Sequence, residues 1–447
     1  MTRAGIVLAA GQGTRMKSAK PKVMHEIAGL PIVGHVIAAM KGAGIARIVV
    51  VTAPDSESVR EFARGLDCEI VVQQQQLGTG HAANCAREAL SDFDGTLIVT
   101  YGDHPLFTAK TFEASFKARE KPGLALVAFK PQDPAMYGRV IQDADGYVAR
   151  MVEFKDANEH ELEVPLCNAG VISADAKSFF RWAGKLKNDN RQREYYLTEI
   201  PILARAEGKK TAVVIADERE VLGVNSRLEL AHAERAMQER LRTRALEAGA
   251  GLMAPETVFF SHDTVLEPDC RIGPYVVFGP SVVVRSGAEI RAFSHLEGAE
   301  VASGAIVGPF ARLRPGARIE EDVHIGNFVE VKNARVEKGA KANHLAYLGD
   351  ARVGEGANIG AGAITCNYDG FDKHFTDIGK GAFVGTNASL VAPVKVGDGV
   401  YIGAGSVITR EVKPDSLAVT RAEQKEVPGW AAKFRARKRA AKAAKGK

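Results

Sequence analysis

The sequence IGKGAFVGTNAS (378–389), followed by VGDGVYIGAGSV (396–407), decides the fold of the second half of this 447-residue chain. In both stretches an aliphatic residue opens each six-residue unit, and a glycine follows it. A six-residue period matches neither an α-helix nor a flat amphipathic strand. It is typical of a hexapeptide-repeat β-helix, in which each unit forms one short wall and its aliphatic side chain points into a narrow core.

The same period extends over most of the chain after residue 270. The predicted core positions are Ile272, Phe278, Val284, Ile290, Leu296, Val301, Val307, Leu313, Ile319, Ile325, Val331, Val353, Ile359, Thr365, Ile378, Val384, Leu390, Val396, Ile402 and Ile408. With three walls and about 18 residues per coil, this span predicts about seven to eight coils.

The first 225 residues have a different texture, in which short apolar runs alternate with helical stretches. This alternation is typical of an α/β domain with a mostly parallel sheet. The predicted strands are GIVLAA, ARIVVVTA (46–53), EIVVQQ, TLIVTYGD (96–103), LALVAFK (124–130) and TAVVIAD (211–217). Residues 225–249 carry an apolar stripe at helical spacing and predict a connecting helix.

The composition is that of an ordinary globular protein, with 46% hydrophobic and 25% charged residues. No leader-like pattern and no apolar run of about 18 residues is present, so we expect a cytoplasmic protein without membrane insertion. The cysteines have no CxxC spacing, which argues against a disulfide framework or a zinc site. They are Cys68, Cys85, Cys167, Cys270 and Cys366.

The net charge of +5 comes from the last fifteen residues, KFRARKRAAKAAKGK, which hold eight Lys or Arg and no acid. Such a tail can bind nucleic acid. The alternative is a solvated tail that aids solubility or contacts an anionic ligand. We favour the solvated tail and expect no nucleic-acid partner.

A phosphate-binding loop is predicted where the first apolar run ends. Gly11 and Gly13 leave backbone N–H groups free to meet phosphates, and Arg15 and Lys22 add cations. The loop is not a dinucleotide fingerprint, because the third glycine would fall at Met16, and no Walker GK[ST] follows. A plain strand-to-helix turn is the alternative interpretation.

LAAGQGTRM followed by KPK resembles the sugar-nucleotide pyrophosphorylases, which join a nucleoside triphosphate to a sugar-1-phosphate. Further matching motifs are QQQQLGTGHA (73–82), YGDHPL (101–106), YGR (137–139), VEFKDA (152–157), CNAG (167–170) and GVNSR (223–227). Combined with the β-helix, the resemblance narrows to the bifunctional bacterial enzymes that act as N-acetylglucosamine-1-phosphate uridyltransferase and glucosamine-1-phosphate N-acetyltransferase. It covers about residues 4 to 425.

The resemblance implies an α/β Rossmann-like nucleotidyltransferase domain (1–225), a connecting helix (226–250), an all-β left-handed parallel β-helix (251–431) and a basic tail (432–447). It also implies Mg²⁺, with acetyl-CoA and UTP as co-substrates, and a homotrimer formed through the β-helix. The implied product, UDP-N-acetylglucosamine, is a precursor of peptidoglycan and lipopolysaccharide.

In the N-terminal half, Asp103 lies at the end of a predicted central strand, where ligand sites of open α/β sheets lie, and its carboxylate suits Mg²⁺. The resemblance implies Asn225 as the second metal ligand, and Arg15 and Lys22 as the cations that neutralise the reacting phosphates. It implies contacts to UTP and UDP-N-acetylglucosamine from Leu8, Ala9, Ala10, Gly11, Gly13, Lys22, Gln73, Gly78, Thr79, Tyr101, Gly102, Asp103, Gly138, Glu153, Asn168 and Asn225. A glutamine-rich surface loop around Gln73 is the structural alternative, and Gly138, Glu153 and Asn168 could each singly be structural.

In the β-helix, four polar stretches interrupt the repeat: RLRPGA (312–317), VEVKNA (329–334), NHLAYLGD (343–350) and TCNYDGFDKH (365–374). Arg314 and Lys332 lie one 18-residue coil apart, so we expect them to stack as two unpaired cations that bind an anion such as a sugar phosphate. His344 is a lone histidine, for which a structural role is the alternative.

The resemblance assigns roles to these positions. Arg314 and Lys332 would bind the sugar phosphate, and His344 would be the general base. Tyr347, Asn358, Asn367 and Tyr368 would contact glucosamine-1-phosphate. The Ala361 N–H would be the oxyanion donor, and Thr386, Ala404 and Arg421 would contact acetyl-CoA, with Thr386 replacing an expected serine.

The sequence leaves two alternative functions open. A sugar-1-phosphate nucleotidylyltransferase with a purely structural or regulatory β-helix leaves the cluster of Arg314, Lys332 and His344 unexplained. A non-catalytic regulator of the same layout predicts loss of the loop and metal residues, yet Arg15 and Asp103 are present. The sequence therefore favours the bifunctional enzyme.

Overall fold

A nine-stranded sheet forms the centre of the N-terminal unit, as the alternation of apolar runs and helices predicts. The computed structural model describes residues 2–134 and 136–445. The chain divides into one unit of Met1–Ala245 with Phe259–Asp263, and a second of Leu246–Val258 with Thr264–Lys447.

The strands of the N-terminal unit are β1 (Arg3–Ala9), β2 (Glu26–Ile27), β3 (Leu30–Pro31), β4 (Arg47–Thr52), β5 (Glu69–Val72), β6 (Thr96–Tyr101), β7 (Gly123–Phe129), β8 (Arg139–Gln142), β9 (Val148–Val152), β10 (Cys167–Asp175) and β11 (Lys210–Ile215). Its helices are α1 (Ile32–Gly42), α2 (Glu57–Arg64), α3 (Thr79–Cys85), α4 (Ala109–Ala118), α5 (Glu159–Leu162), α6 (Ala176–Ala183), α7 (Ile200–Ala206) and α8 (Arg227–Glu247). The main strand order is β11-β7-β10-β6-β1-β4-β5, and β8 and β9 form a hairpin joined to β10.

All six predicted strands are present, as β1, β4, β5, β6, β7 and β11. Strand β10 was not predicted, and it runs antiparallel to both of its neighbours, β6 and β7. Its pairing with β7 shifts register between Asn168 and Val171, so the apolar pattern of the strand is interrupted at its start. Because of this irregularity, the apolar pattern did not predict a strand at the CNAG motif. Buried side chains cover both faces of the sheet and form two hydrophobic cores.

The second unit contains a parallel β-helix with three walls, which confirms the interpretation of the six-residue period. Wall 1 contains Gly251–Leu252, Arg271–Ile272, Glu289–Ile290, Ile306–Val307, His324–Asn327, Lys341–His344, Asn358–Ile359, Phe383–Val384, Tyr401–Ile402 and Leu417–Ala418. Wall 2 contains Val277–Phe278, His295–Leu296, Arg312–Leu313, Ile364–Cys366, Ser389–Val391 and Val407–Ile408. Wall 3 contains Val265–Leu266, Val283–Val284, Ala299–Val301, Ala317–Ile319, Thr376–Ile378 and Val394–Val396.

Two longer strands, Glu330–Val336 and Tyr347–Val353, pass from wall 2 into wall 3. Every predicted core position, from Ile272 to Ile408, is buried, including the polar Thr365. The ten strands of wall 1 exceed the seven to eight coils predicted, because the stack begins at Gly251 and ends at Ala418, outside the counted span. A final helix, α9 (Trp430–Lys445), carries basic residues of the tail, and those at 433, 435, 437, 438, 439 and 442 are exposed.

Candidate active sites

A cavity of about 470 Å³ lies in the N-terminal unit at the carboxyl ends of β1 and β6, where ligand sites of open α/β sheets are expected. Predicted nucleotide-binding residues form most of its lining: Leu8, Ala10, Gly11, Lys22, Gln73, Gly78, Thr79, Tyr101, Asp103 and Asn225. Ala9, Gly13 and Gly102 lie in the adjoining segments. We refer to this space as the nucleotide cavity.

Two glycines are required by the backbone around this cavity. Gly13 has a φ of 61°, and a Cβ there would lie 2.6 Å from the Cβ of Lys22. Gly78 has a φ of 104°, and a Cβ there would lie 2.8 Å from the carbonyl oxygen of Tyr195. Both positions therefore need glycine for conformation and for close packing. The first glycine also brings the phosphate-binding loop against Lys22.

The glutamine-rich segment is ordered by hydrogen bonds. Gln73 is 3% exposed, and its Nε2 atom lies 3.3 Å from the carbonyl oxygen of Gly78 and 2.9 Å from Nδ1 of His81. Gln76, which the sequence analysis did not single out, donates to the carbonyl oxygen of Ala10 at 2.6 Å. The segment is therefore tied to the phosphate-binding loop and is not a free surface loop.

Lys22 connects the two predicted metal ligands. Its Nζ atom lies 2.5 Å from Oδ2 of Asp103 and 2.9 Å from Oδ1 of Asn225. The Lys22 and Asp103 side chains are only 11% and 17% exposed. A carboxylate and an amide oxygen from distant parts of the chain thus converge on one cation.

His104 and Glu229 hold these two ligands from the other side. His104 Nδ1 lies 2.9 Å from Oδ1 of Asp103, and its ring lies 5.6 and 5.7 Å from the rings of Tyr101 and Phe107. The backbone N–H of Asn225 donates to Oε2 of Glu229 at 2.7 Å. Neither residue was predicted; His104 follows Asp103 directly, and Glu229 lies in the first turn of α8.

The environment of Asp103 keeps it ionised. Burial alone would raise the pKa of its carboxyl group, but the ammonium of Lys22 and the ring of His104 bring that pKa well below its usual range. Asp103 therefore presents an anionic carboxylate over the ordinary range of pH.

A second cavity of about 410 Å³ shares Tyr101, His104 and Asn225 with the nucleotide cavity. It contains the three predicted sugar-binding positions, Gly138, Glu153 and Asn168, and we refer to it as the sugar cavity. Burial raises the pKa of Glu153, whose Oε1 accepts a hydrogen bond from Thr198 at 3.2 Å. Arg15 lines this cavity and not the nucleotide cavity.

In the β-helix, Arg314 and Lys332 stand one coil apart on wall 2, as their spacing predicts. The prediction that both are unpaired is wrong for Arg314, whose Nη1 lies 2.9 Å from Oε1 of Glu330. Glu330 lies two residues before Lys332, on the same outer face. Its carboxylate therefore reaches Arg314 on the preceding coil. Lys373, a further cation that was not predicted, lowers the pKa of Lys332 most strongly, and Arg314 adds to the effect.

His344 ends a strand of wall 1, opposite Asn327 of the preceding coil. Its Nδ1 atom lies 2.7 Å from Oδ1 of Asn327. Because an amide oxygen only accepts, Nδ1 carries the hydrogen and Nε2 keeps a free lone pair. This is the tautomer that a general base needs.

Asp350 holds together the polar groups beside the sugar-contact position Asn367. Its two carboxylate oxygens accept hydrogen bonds from Nδ2 of Asn333 at 2.6 Å and Nδ2 of Asn367 at 2.5 Å. Asp350 is 9% exposed and Asn367 is 7% exposed. Asn327, Asn333, Asp350 and Lys373 were not assigned from the sequence, but the last three lie within the polar interruptions of the repeat, which were the available signal.

The predicted acetyl-CoA positions follow one corner of the β-helix. The carbonyl oxygens of Ala361 and Thr386 each accept a hydrogen bond at 2.8 Å, from the N–H groups of Asn387 and Gly405 in the following coils. Arg421 donates from Nη1 to the carbonyl oxygen of Ala404 at 2.7 Å.

Two other residues, Asn358 and Tyr368, were predicted to contact the sugar. Asn358 pairs with Lys341 and Phe383 on wall 1. Tyr368 is 60% exposed, on a short hairpin that it closes by pairing with Lys373.

Residues 2–134 and 136–445 contain no cluster of three or more His, Cys, Asp or Glu side chains that could hold a metal ion. No helix in the described part of the chain is long and apolar enough to cross a membrane.

Comparison with known proteins covers both units. Residues 5–251 match the family model of the MobA-like NTP transferase domain, and residues 375–410 match that of the bacterial transferase hexapeptide. The chain is 54% identical over 443 residues to the bifunctional protein GlmU of Paramagnetospirillum magneticum, covering 98% of each chain. It is 54% identical to the protein of that name from Maricaulis maris, over 99% of this chain and 98% of the relative. It is 47% identical to the protein of that name from Zymomonas mobilis, over 97% of this chain and 98% of the relative.

Proposed function

This chain belongs to the bifunctional GlmU family, and from that premise we propose how its two sites make UDP-N-acetylglucosamine. The chain is a uridyltransferase and an acetyltransferase. In the proposed order, the β-helix first transfers an acetyl group from acetyl-CoA to glucosamine-1-phosphate. The N-terminal unit then transfers uridylate from UTP to N-acetylglucosamine-1-phosphate and releases pyrophosphate.

Acetyl transfer begins with proton removal by His344. The amine of glucosamine is largely protonated at neutral pH, and Nε2 of His344 accepts a proton from it while Asn327 holds the ring. The free amine then attacks the thioester carbonyl, a C–N bond forms, and the C–S bond breaks as CoA leaves as a thiol. Within the described residues, no group accepts a hydrogen bond from the Ala361 N–H, so this N–H is available to the oxyanion.

The sugar phosphate is placed by three cations. Lys332 lies beside the strand that begins with Tyr347 and is close to Lys373 and Arg314. Because Glu330 compensates the charge of Arg314, a bound anion would chiefly relieve the repulsion between Lys332 and Lys373. The single observation that carries the proposal of a second active site is this cation cluster on the coils that also carry the oriented His344. A purely structural β-helix would not need this cluster of cations.

Uridyl transfer takes place where the nucleotide and sugar cavities meet. The sugar-phosphate oxygen attacks the α-phosphorus of UTP in line with the pyrophosphate leaving group, a reaction that depends on positioning and charge neutralisation. Lys22 on the nucleotide side and Arg15 on the sugar side would neutralise the phosphates. Asn168 and Glu153 would orient the sugar.

Asp103 and Asn225 fit a magnesium ion. Both offer hard oxygen atoms, and the Lys22 ammonium lies on both of them, which supports a cation site at this position. Only two protein ligands are present, which agrees with the preference of Mg²⁺ for a few protein oxygens, water and substrate phosphates. Bound Mg²⁺ would supply charge stabilisation to the phosphates of the nucleotide.

We also propose that the chain acts as a homotrimer through the β-helix, which its hexapeptide repeats support. Exposed aromatic side chains stack along one edge of the β-helix, from Tyr275 through Phe293 and Phe310 to Phe328. A row of this length is of the kind that protein interfaces bury. The oligomeric state can be measured by light scattering.

One assay tests both activities. The purified chain is incubated with glucosamine-1-phosphate, acetyl-CoA, UTP and Mg²⁺, and UDP-N-acetylglucosamine is measured. Omitting UTP should leave N-acetylglucosamine-1-phosphate, and omitting acetyl-CoA should stop the sequence at its start. Asp103→Ala should abolish uridyl transfer and spare acetyl transfer. Full uridyl transfer by that variant would refute the metal assignment.

A further inference from the structure

The Lys22 ammonium lies on the same two oxygens that the proposed function assigns to the metal. Its distances of 2.5 Å to Asp103 Oδ2 and 2.9 Å to Asn225 Oδ1 are those of charge-assisted hydrogen bonds. A divalent cation bound to both oxygens would need the same lone pairs and would lie within a few ångströms of a like charge. The two cations therefore exclude each other at this position.

The Asp103 carboxylate and the Asn225 backbone are held in place, and the lysine is the part that can move. Asp103 is held by His104 at 2.9 Å, and its carbonyl oxygen accepts from the Val224 N–H at 2.9 Å. The backbone of Asn225 is held by Glu229 at 2.7 Å. Lys22, in contrast, reaches them through a flexible four-carbon stem.

The nucleotide cavity offers Lys22 another partner. Lys22 lines that cavity, and its Cβ packs against Gly13 of the phosphate-binding loop. A triphosphate in the loop would present several anionic oxygens within reach of the same stem. The ammonium could then leave Asp103 and Asn225 without losing its charge compensation.

We propose that Lys22 closes the metal site of the protein alone and opens it when a nucleotide binds. Metal and nucleotide binding are thereby coupled, because each favours the position of Lys22 that the other needs. The proposal rests on the proposed metal ligands, Asp103 and Asn225. It predicts an effect opposite in sign to that of losing an ordinary binding residue: removing the lysine charge strengthens metal binding while it weakens uridyl transfer.

The test measures Mn²⁺ binding to the full chain without nucleotide, from the electron paramagnetic resonance signal of free Mn²⁺. Lys22→Met keeps the stem and removes the charge, and we expect its affinity for Mn²⁺ to rise about tenfold or more, because an adjacent like charge is removed. Lys177→Met is the matched control, because Lys177 forms an exposed ion pair with Asp94 at 2.8 Å. It should bind Mn²⁺ as the unaltered chain does. Thermal unfolding checks that each variant is folded, and Lys22→Gln replaces Lys22→Met if the latter is not.

The results with these variants distinguish an error in the role of Lys22 from an error in the metal assignment. Equal or weaker Mn²⁺ binding by the folded Lys22 variant overturns the proposal. Asp103→Asn in the Lys22→Met background should remove the gained affinity. If the gain persists without the Asp103 carboxylate, the metal assignment itself is wrong. If Asp103→Asn alone weakens Mn²⁺ binding while Lys22→Met leaves it unchanged, the metal site stands and the closing role of Lys22 fails.

Discussion

Asn327 and His344 meet one coil apart on wall 1, with 2.7 Å between Asn327 Oδ1 and His344 Nδ1. The β-helix fixes this pair because parallel strands of successive coils place the two residues opposite each other. The contact determines which nitrogen of His344 is free. A residue of the preceding coil thus fixes the tautomer of the proposed base.

His344→Ala should lower the rate of acetyl transfer by about 10²- to 10⁴-fold, the usual contribution of a positioned general base. Asn327→Ala should cause a smaller loss, about ten- to a hundredfold, as is found for other orienting partners of histidine. Rates of both half-reactions are measured on each variant. Uridyl transfer should be unchanged and serves as the internal control. Unchanged acetylation in His344→Ala would return that residue to a structural role.

Lys373→Met should raise the KM for glucosamine-1-phosphate about tenfold, because one of three phosphate-facing cations is lost. The kcat for acetyl transfer should change little, since the base is untouched. Lys380→Met is the matched control: Lys380 belongs to the same β-helix and forms an exposed ion pair with Glu355 at 2.8 Å. If both variants have the KM of the unaltered chain, Lys373 does not bind the phosphate.

Asp350→Ala should destabilise the β-helix by about 2 kcal/mol or more, because it leaves Nδ2 of Asn333 and Nδ2 of the buried Asn367 without an acceptor. It should also raise the KM for glucosamine-1-phosphate, since Asn367 is then no longer fixed. Urea unfolding and acetyl-transfer kinetics measure the two effects.

Glu321→Ala provides the comparison, because its carboxylate forms an exposed pair with Lys338 at 3.2 Å and should contribute less than about 1 kcal/mol. Equal stability of the Asp350 and Glu321 variants would mean that Asp350 is not a structural acceptor.

The period of the β-helix could be predicted because one face of every unit must fill the same narrow core. Arg314 and Lys332 were placed side by side for the same reason, as a shift of one coil returns a residue to the same wall. Glu330 was not recognised as the partner of Arg314, because side-chain reach across coils does not follow from spacing. Lys373 lies on a hairpin that interrupts the repeat, so the six-residue period does not predict its position.

In the N-terminal unit, too, local patterns could be predicted and contacts between distant residues could not. Strands with continuous apolar runs were predicted, whereas β10 was hidden by the register shift between Asn168 and Val171. The cluster at Asp103 joins residues 22, 103 and 225, and only a known resemblance connects such distant positions. Glu229 lies in no quoted motif and His104 lies in YGDHPL without an assigned role, so their hydrogen bonds to Asn225 and Asp103 appear only in the folded chain.

His35 makes the stability of the N-terminal unit depend on pH. Its Nε2 lies 2.8 Å from the carbonyl oxygen of Ile27, and burial lowers its pKa from 6.5 to about 4, with smaller contributions from His262 and Arg240. The unfolded chain therefore binds a proton that the folded chain does not at pH values between these two. Folding stability should fall as the pH is lowered through this window, by about 3 kcal/mol in total for this residue.

Urea unfolding of the unaltered chain and of His35→Gln at pH 7 and pH 5 tests this dependence. Glutamine keeps a donor for the Ile27 carbonyl but does not titrate, so the variant should lose less stability between the two pH values than the unaltered chain does. His160→Gln, at an exposed position of α5, should retain the full dependence. Identical pH dependence in all three proteins would mean that His35 does not remain neutral in the folded state.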